Sequence, residues 1–86
     1  MFLSIDYGME DFGEALGRAI KERRKELGLS QEALSFKAGY HVTYVSQIER
    51  NVKSPTVRTM VIFAGALEMP LSELILRAER LYAHYE

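Results

Sequence analysis

Apolar residues recur at helical spacing in five stretches of the chain, each closed by a short polar or glycine-containing break. In the first, Phe12, Leu16, Ile20 and Leu27 form a stripe flanked by Ala15 and Ala19. Asp11 opens it, and Glu14 three residues on completes a capping box. Gly28 closes it as the residue that can turn left-handed, with Leu29 as the contact beyond. Ser30 is a good N-cap for a second helix to about Ala38, which turns Ala33 and Leu34 inward and leaves Phe36 partly exposed. Gly39 then breaks the chain. From Val42 a third helix sets Val45, Ile48 and the stem of Glu49 on one side and Thr43, Ser46, Gln47 and Arg50 on the other.

Residues 51–55 read as a loop stopped by Pro55. Thr56 caps a fourth helix from Val57 to Leu67. Its expected core face is Val57, Met60, Val61, Ala64 and Leu67, with Ile62 and Phe63 widening the apolar surface. Met69 and Pro70 interrupt the chain again. The last helix runs from Leu71 or Ser72 towards Tyr85, with Leu71, Leu74, Ala78, Leu81 and Tyr85 in 3,4 spacing and Ile75 and Tyr82 beside them. A seam of about two heptads is too short to stand alone. It must pack on the domain, on a second copy, or on both. These elements predict an all-α, five-helix domain at residues 11–75. A leader precedes it at residues 1–10, and a C-terminal helix extension follows at 76–86 as a dimerisation element. In the leader, Leu3, Ile5 and Tyr7 alternate with polar residues; a short strand and an unstructured tail both fit.

Composition narrows the function. A chain of 86 residues makes one domain, and a domain this small gains from dimerisation. With no cysteine, and histidine only at 41 and 84, neither a disulfide nor a metal site is expected, and no cofactor motif is present. No apolar run is long enough to span a membrane, so a cytoplasmic location is the expectation. The net charge of −1 hides an asymmetry. Residues 12–58 hold nine bases against five acids, a net +4, whereas residues 1–11 carry −3 and residues 59–86 carry −2. The middle of the chain could face phosphates while the ends face something else.

Three features of that middle bear on chemistry. The outer side of the third helix is short, rich in hydrogen-bonding groups and free of carboxylate, which suits base edges and phosphates; a half-buried surface helix has the same pattern. Arg24 stands on the buried stripe of the first helix, where it must either snorkel or pair with an acid. His41 occupies the N-cap position of the third helix, a weak choice there, and is open either to a phosphate or to solvent.

Several stretches together resemble the lambda-repressor-like helix-turn-helix family, the Cro or xenobiotic-response-element type of transcriptional regulator. They are Ile20-Lys21-Glu22-Arg23-Arg24, Leu27-Gly28-Leu29-Ser30-Gln31-Glu32, Ala38-Gly39, Tyr44-Val45-Ser46-Gln47-Ile48-Glu49-Arg50-Asn51, Ser54-Pro55-Thr56 and Pro70-Leu71-Ser72-Glu73-Leu74. The resemblance covers residues 12–75 and implies a bundle whose second and third helices bind double-stranded DNA, the third lying in the major groove. It implies base reading by Val42, Thr43, Ser46 and Gln47. It implies phosphate contacts from Gln31 at a helix N-terminus and from Arg50, Asn51, Lys53 and Ser54 after the third helix, with His41 a further candidate. It also implies that Arg24 pairs with Glu49 as a structural ion pair.

Three departures stand out. His41 replaces a small hydroxyl cap. Glu68 stands where a glycine usually ends the fourth helix, so a differently built turn is expected. Phe36 and Ile62 occupy usually polar positions and are candidate contacts for the leader or a partner. The expectation is a transcriptional regulator of repressor or autoregulator type, reading a near-palindromic operator as a homodimer through Ile62, Phe63, Met69, Leu74, Leu81 and Tyr85. The alternative is a protein-interaction module, such as an antitoxin or regulatory partner of an unspecified protein. No catalytic constellation is present, so an enzyme is not expected.

Overall fold

The computed structural model describes residues 9–82, with side chains from Phe12 onward. Helices α1 (Met9–Glu26), α2 (Gln31–Ala38), α3 (Val42–Glu49), α4 (Val57–Ala66) and α5 (Leu71–Tyr82) follow in order, and no strand occurs among the described residues. Helix α1 already includes Met9, so Asp11 lies inside it and is not its N-cap. The alternating residues Leu3 to Tyr7, and Tyr85 at the other end, lie outside the described residues.

Local chemistry sets the helix starts. Ser30 and Thr56 are extended N-caps whose hydroxyls accept from the amides of Ala33 and Thr59. Each of the first four helices is followed by a left-handed residue: Gly28, Gly39, Asn51 and Glu68. At Glu68 the expectation of a differently built turn is not met. Its amide donates to Gly65 O and that of Met69 to Ala64 O, both at 3.0 Å, which is the usual paired closure at a helix C-terminus. A glutamate holds it at φ 61°, a region that costs a residue with a Cβ about 1–2 kcal/mol. Its side chain makes an exposed 3.4 Å ion pair with Lys37, which contributes little. Glu68→Gly should therefore raise stability by about 0.5–1 kcal/mol, less than the full strain because glycine is freer in the unfolded chain. Thermal melting would read this as a rise of a few degrees; a fall would mean that the Lys37 pair outweighs the strain.

The core draws on every helix. Leu16, Ala19 and Ile20 from α1 meet Leu34, Val45, Ile48, Phe63, Leu67, Leu74 and Ala78. Helices α1 and α5 run antiparallel: the rings of Phe12 and Tyr82 meet edge to face at one end. At the other, Arg77 reaches Glu26 at 2.8 Å. Hydrogen bonds from Arg77 and Arg23 hold the Glu26 carboxyl below its usual range. Leu74 and Ala78 of the expected seam are buried against the domain itself, and Leu71, Ile75, Leu81 and Tyr82 are partly buried beside them. Much of that seam is thus used within one chain.

Helix α4 is rotated from the expected face. Val57 and Val61 are exposed, whereas Phe63 is fully buried along with Ala64, Ala66 and Leu67. At 100° per residue Phe63 and Val61 point nearly opposite ways, so only one can face the core. The aromatic ring takes the place, and Thr59, one turn earlier on the same side, is satisfied there by Tyr40 Oη at 2.9 Å and Thr56 Oγ1 at 3.1 Å. Phe63, Met69 and Leu74 were expected at a dimer interface. All three are buried inside the single chain and are not available to a second copy.

Candidate nucleic-acid interface

The turn between α2 and α3 presents α3 on the surface of the domain. Gly39 takes φ 78°, and its amide and that of Tyr40 both donate to Ser35 O. His41 follows in extended conformation and caps α3: Nδ1 accepts from the Thr43 amide at 3.1 Å. The histidine thus does the work of the hydroxyl it replaces, one residue closer to its own backbone. Val45 and Ile48 anchor the inner side of α3. On the outer side Thr43 and Arg50 are exposed and Val42, Ser46 and Gln47 half-buried. Arg50 Nε donates to Ser46 Oγ at 3.2 Å, which lays the guanidinium along the helix.

Electrostatics favour an anion here. Between residues 33 and 67 the only carboxylate is Glu49, against the bases Lys37, Arg50, Lys53 and Arg58. Glu49 is turned inward, its side chain 2% exposed, and Arg24 grips it with both arms: Nε to Oε2 at 2.7 Å and Nη2 to Oε1 at 3.0 Å. Such a two-pronged, charge-assisted contact is short and directional. The third arm of Arg24 donates to Leu29 O at 2.9 Å in the α1–α2 connection. Gln31 Nε2 donates to Glu49 Oε1 at 3.0 Å. One carboxylate therefore ties α1, the first residue of α2 and the last residue of α3 together, and the outer side of α3 is left without a carboxylate. Gln31, singled out above for a phosphate, is also part of this clamp.

After α3, Asn51 takes φ 58°, and the amides of Val52 and Lys53 fold back on Gln47 O at 2.8 and 3.3 Å. Asn51, Lys53 and Ser54 are exposed immediately beside the end of α3. Of the sequence-expected contact residues, Val42, Thr43, Ser46 and Gln47 thus lie on α3, Arg50 caps its end and Lys53 and Ser54 follow directly, whereas the Asn51 side chain lies against Gly13 of α1.

Two supports were not evident from the sequence. Tyr40 and Tyr44 stack at 5.0 Å between ring centres and both meet Phe63, at 5.4 and 6.3 Å, which binds the turn and α3 to α4. Gly17 in α1 lies where the backbone at the end of α3 comes closest. The aromatic spacing Tyr40, Tyr44 was a signal for the first; nothing local marked the second.

Among the described residues no single helix is long and apolar enough to cross a membrane. The helix-turn-helix family model matches residues 20–74. Control protein C.SmaI of Serratia marcescens is 34% identical over 67 residues, covering 78% of this chain and 80% of that protein. Among solved structures, the restriction-modification controller protein C.AhdI from Aeromonas hydrophila superposes with a TM-score of 0.70 at 32% identity, covering 72% of this chain and 94% of that one. The master regulator for biofilm formation SinR, solved in complex with DNA, superposes with a TM-score of 0.66 at 34% identity over 70% of this chain and 97% of that one. The clamp that buries the one carboxylate of α3, the all-helical frame around it and these matches agree: the chain belongs to the lambda-repressor-like helix-turn-helix family of DNA-binding transcription regulators.

Proposed function

We propose that this protein is a sequence-specific regulator of transcription that reads a near-palindromic duplex as a homodimer. In this reading α3 lies in the major groove. Gln47 pairs with an adenine edge, Ser46 and Thr43 supply further hydrogen bonds, and Val42 or the Thr43 methyl touches a thymine methyl. Gln31, His41, Arg50, Asn51, Lys53 and Ser54 hold phosphates and fix the register. The chain acts in the cytoplasm, where such DNA is found, and does so as a binder, not as an enzyme. The observation that carries the reading is the carboxylate-free outer face of α3, with Glu49 drawn inside by Arg24.

Selection of bound duplexes from a random pool tests it, with wild type and Gln47→Ala in parallel. Wild type should recover half-sites with centres about 10 bp apart. Gln47→Ala should lose about 1–3 kcal/mol at one position and relax the preference there, whereas Lys53→Ala should weaken all sequences alike and lower the salt slope by about one. No enrichment by folded wild type would sink the proposal.

The dimer face in this reading is the outer side of α4. Val57 and Val61 are 66% and 52% exposed one turn apart, and Ile62 is 37% exposed beside them. Ile62 was in the sequence-expected set; Val57 and Val61 join it because the helix is rotated. A carboxylate in the middle of such a face would have to be desolvated without a partner. Val61→Glu should therefore sediment as a monomer with unchanged helix content and bind its site at least about tenfold more weakly. A dimer that survives this change would place the interface elsewhere.

A further inference from the structure

We propose that Gly17 is a positioning residue for DNA reading: it sets how deeply the end of α3 seats on α1, and so the pose in which α3 meets the groove. The inference rests on the DNA-reading function proposed above. Gly17 is buried in the interior of α1, where a glycine weakens the helix unless something requires it. A Cβ built there would lie 2.6 Å from Glu49 O, 2.7 Å from Ile48 O and 3.0 Å from the Glu49 carbonyl carbon. All three are backbone atoms in the last turn of α3, so no side-chain rotation can relieve the contact. To restore an ordinary 3.4 Å separation the end of α3 would have to retreat by about 0.8 Å, more than the tolerance of about 0.5 Å within which a binding constellation works.

The retreat would not be a uniform shift. Seven residues further along the same side of α1, Arg24 holds the Glu49 side chain at 2.7 Å. The end of α3 is thus held by a tether at Arg24 and kept at its distance by the bare backbone at Gly17. Pushing at one point while the other holds tilts the helix. Ile48 O also accepts the Asn51 amide at 3.1 Å, so the same push carries along the loop with Asn51, Lys53 and Ser54. Base hydrogen bonds depend on this pose, whereas the general attraction of basic side chains for phosphates hardly does. Two other glycines calibrate the effect. At Gly13 the atoms in the way belong to the Asn51 side chain and not to the backbone; at Gly65 in α4 nothing lies within 4 Å.

The test compares wild type, Gly17→Ala, Gly13→Ala and Gly65→Ala, each at least ten degrees below its own melting midpoint. Affinity is measured at one salt concentration for the duplex selected by wild type and for a scrambled duplex. Gly17→Ala should lose at least about tenfold on the selected duplex and less than about twofold on the scrambled one. Gly13→Ala should lose less, and Gly65→Ala should match wild type. Should Gly17→Ala not fold alone, the same pair of affinities is measured with Gly17→Ala and its control both in the Glu68→Gly background. A lower melting point with an unchanged ratio of the two affinities would make Gly17 merely structural and overturn the proposal. Absence of preferential binding by wild type would instead overturn the DNA-reading function, and this inference with it.

Discussion

Arg24→Ala is expected to remove about 3–5 kcal/mol of folding stability, read as a lower urea midpoint at unchanged slope. The size follows from what the change leaves behind. The Glu49 side chain is 2% exposed, and without Arg24 it keeps the Gln31 side-chain amide at 3.0 Å. A carboxylate cannot recover its hydration in that position, and most of the loss is its desolvation, not the attraction that was broken. A domain of this size has on the order of 4–13 kcal/mol in total, so the variant should be near its limit at physiological temperature. Glu49→Ala should cost less than Arg24→Ala if the guanidinium, 9% exposed, can swing towards water, and its third arm still has Leu29 O. The double replacement Arg24→Met with Glu49→Leu separates the terms. It removes both charges and fills the space, so it should recover most of the loss. If it is as unstable as Arg24→Ala, the pair itself and not the stranded charge carries the energy.

That double variant also isolates what the pair does for function. With both charges gone the core can close, but Gln31 loses its acceptor and α1 loses its tether to the end of α3. DNA affinity should then fall more than stability. The ion pair thus does two things: it turns the one carboxylate of α3 away from solvent, and it fixes α3 to the frame.

How much of this was legible in the sequence depended on whether the signal was local. Ser30, Thr56, Gly28 and Gly39 act through their own neighbours, so the bounds of α2, α3 and α4 follow from the chain. Arg24 was legible as a problem, a charge on an apolar stripe, and its partner came with the family resemblance. The face of α4 was not legible. Seven of the ten residues in Val57–Ala66 are apolar, so several rotations fit equally and spacing cannot choose among them. What chooses is the bulk of Phe63 and the hydroxyl partners waiting for Thr59, both tertiary facts. Glu68 and Gly17 fail for related reasons. The closure at Glu68 is imposed by the pairing of Met69 and Ala64, which overrides the residue's preference. The use of Gly17 is defined only by the α3 carbonyls that approach it. The residues proposed to contact DNA were named from their side-chain chemistry and from the family resemblance; that Gln31 also braces the fold was not legible.

Phe63→Ala carries the other large effect, an expected loss of about 3–5 kcal/mol. The ring is fully buried, and it is the contact by which α4 holds both Tyr40 in the turn and Tyr44 on α3. Removing it leaves a cavity beside two aromatic rings stacked on each other, which cannot both move in to fill it without breaking the Tyr40–Thr59 hydrogen bond at 2.9 Å. The cost should therefore sit at the upper end of the range. Phe63→Leu, which keeps most of the volume, should lose roughly half as much. The comparison that matters is with Val61→Glu on the opposite side of the same helix. If Phe63 serves the core and Val61 the partner, Phe63→Ala lowers the urea midpoint, whereas Val61→Glu changes sedimentation and keeps the melting behaviour of a folded monomer. The reverse pattern would return α4 to the rotation its hydrophobic spacing first suggested. The turn would then lose its aromatic link to α4, and the presentation of α3 would have to rest on the Arg24–Glu49 clamp and on the packing of Val45 and Ile48.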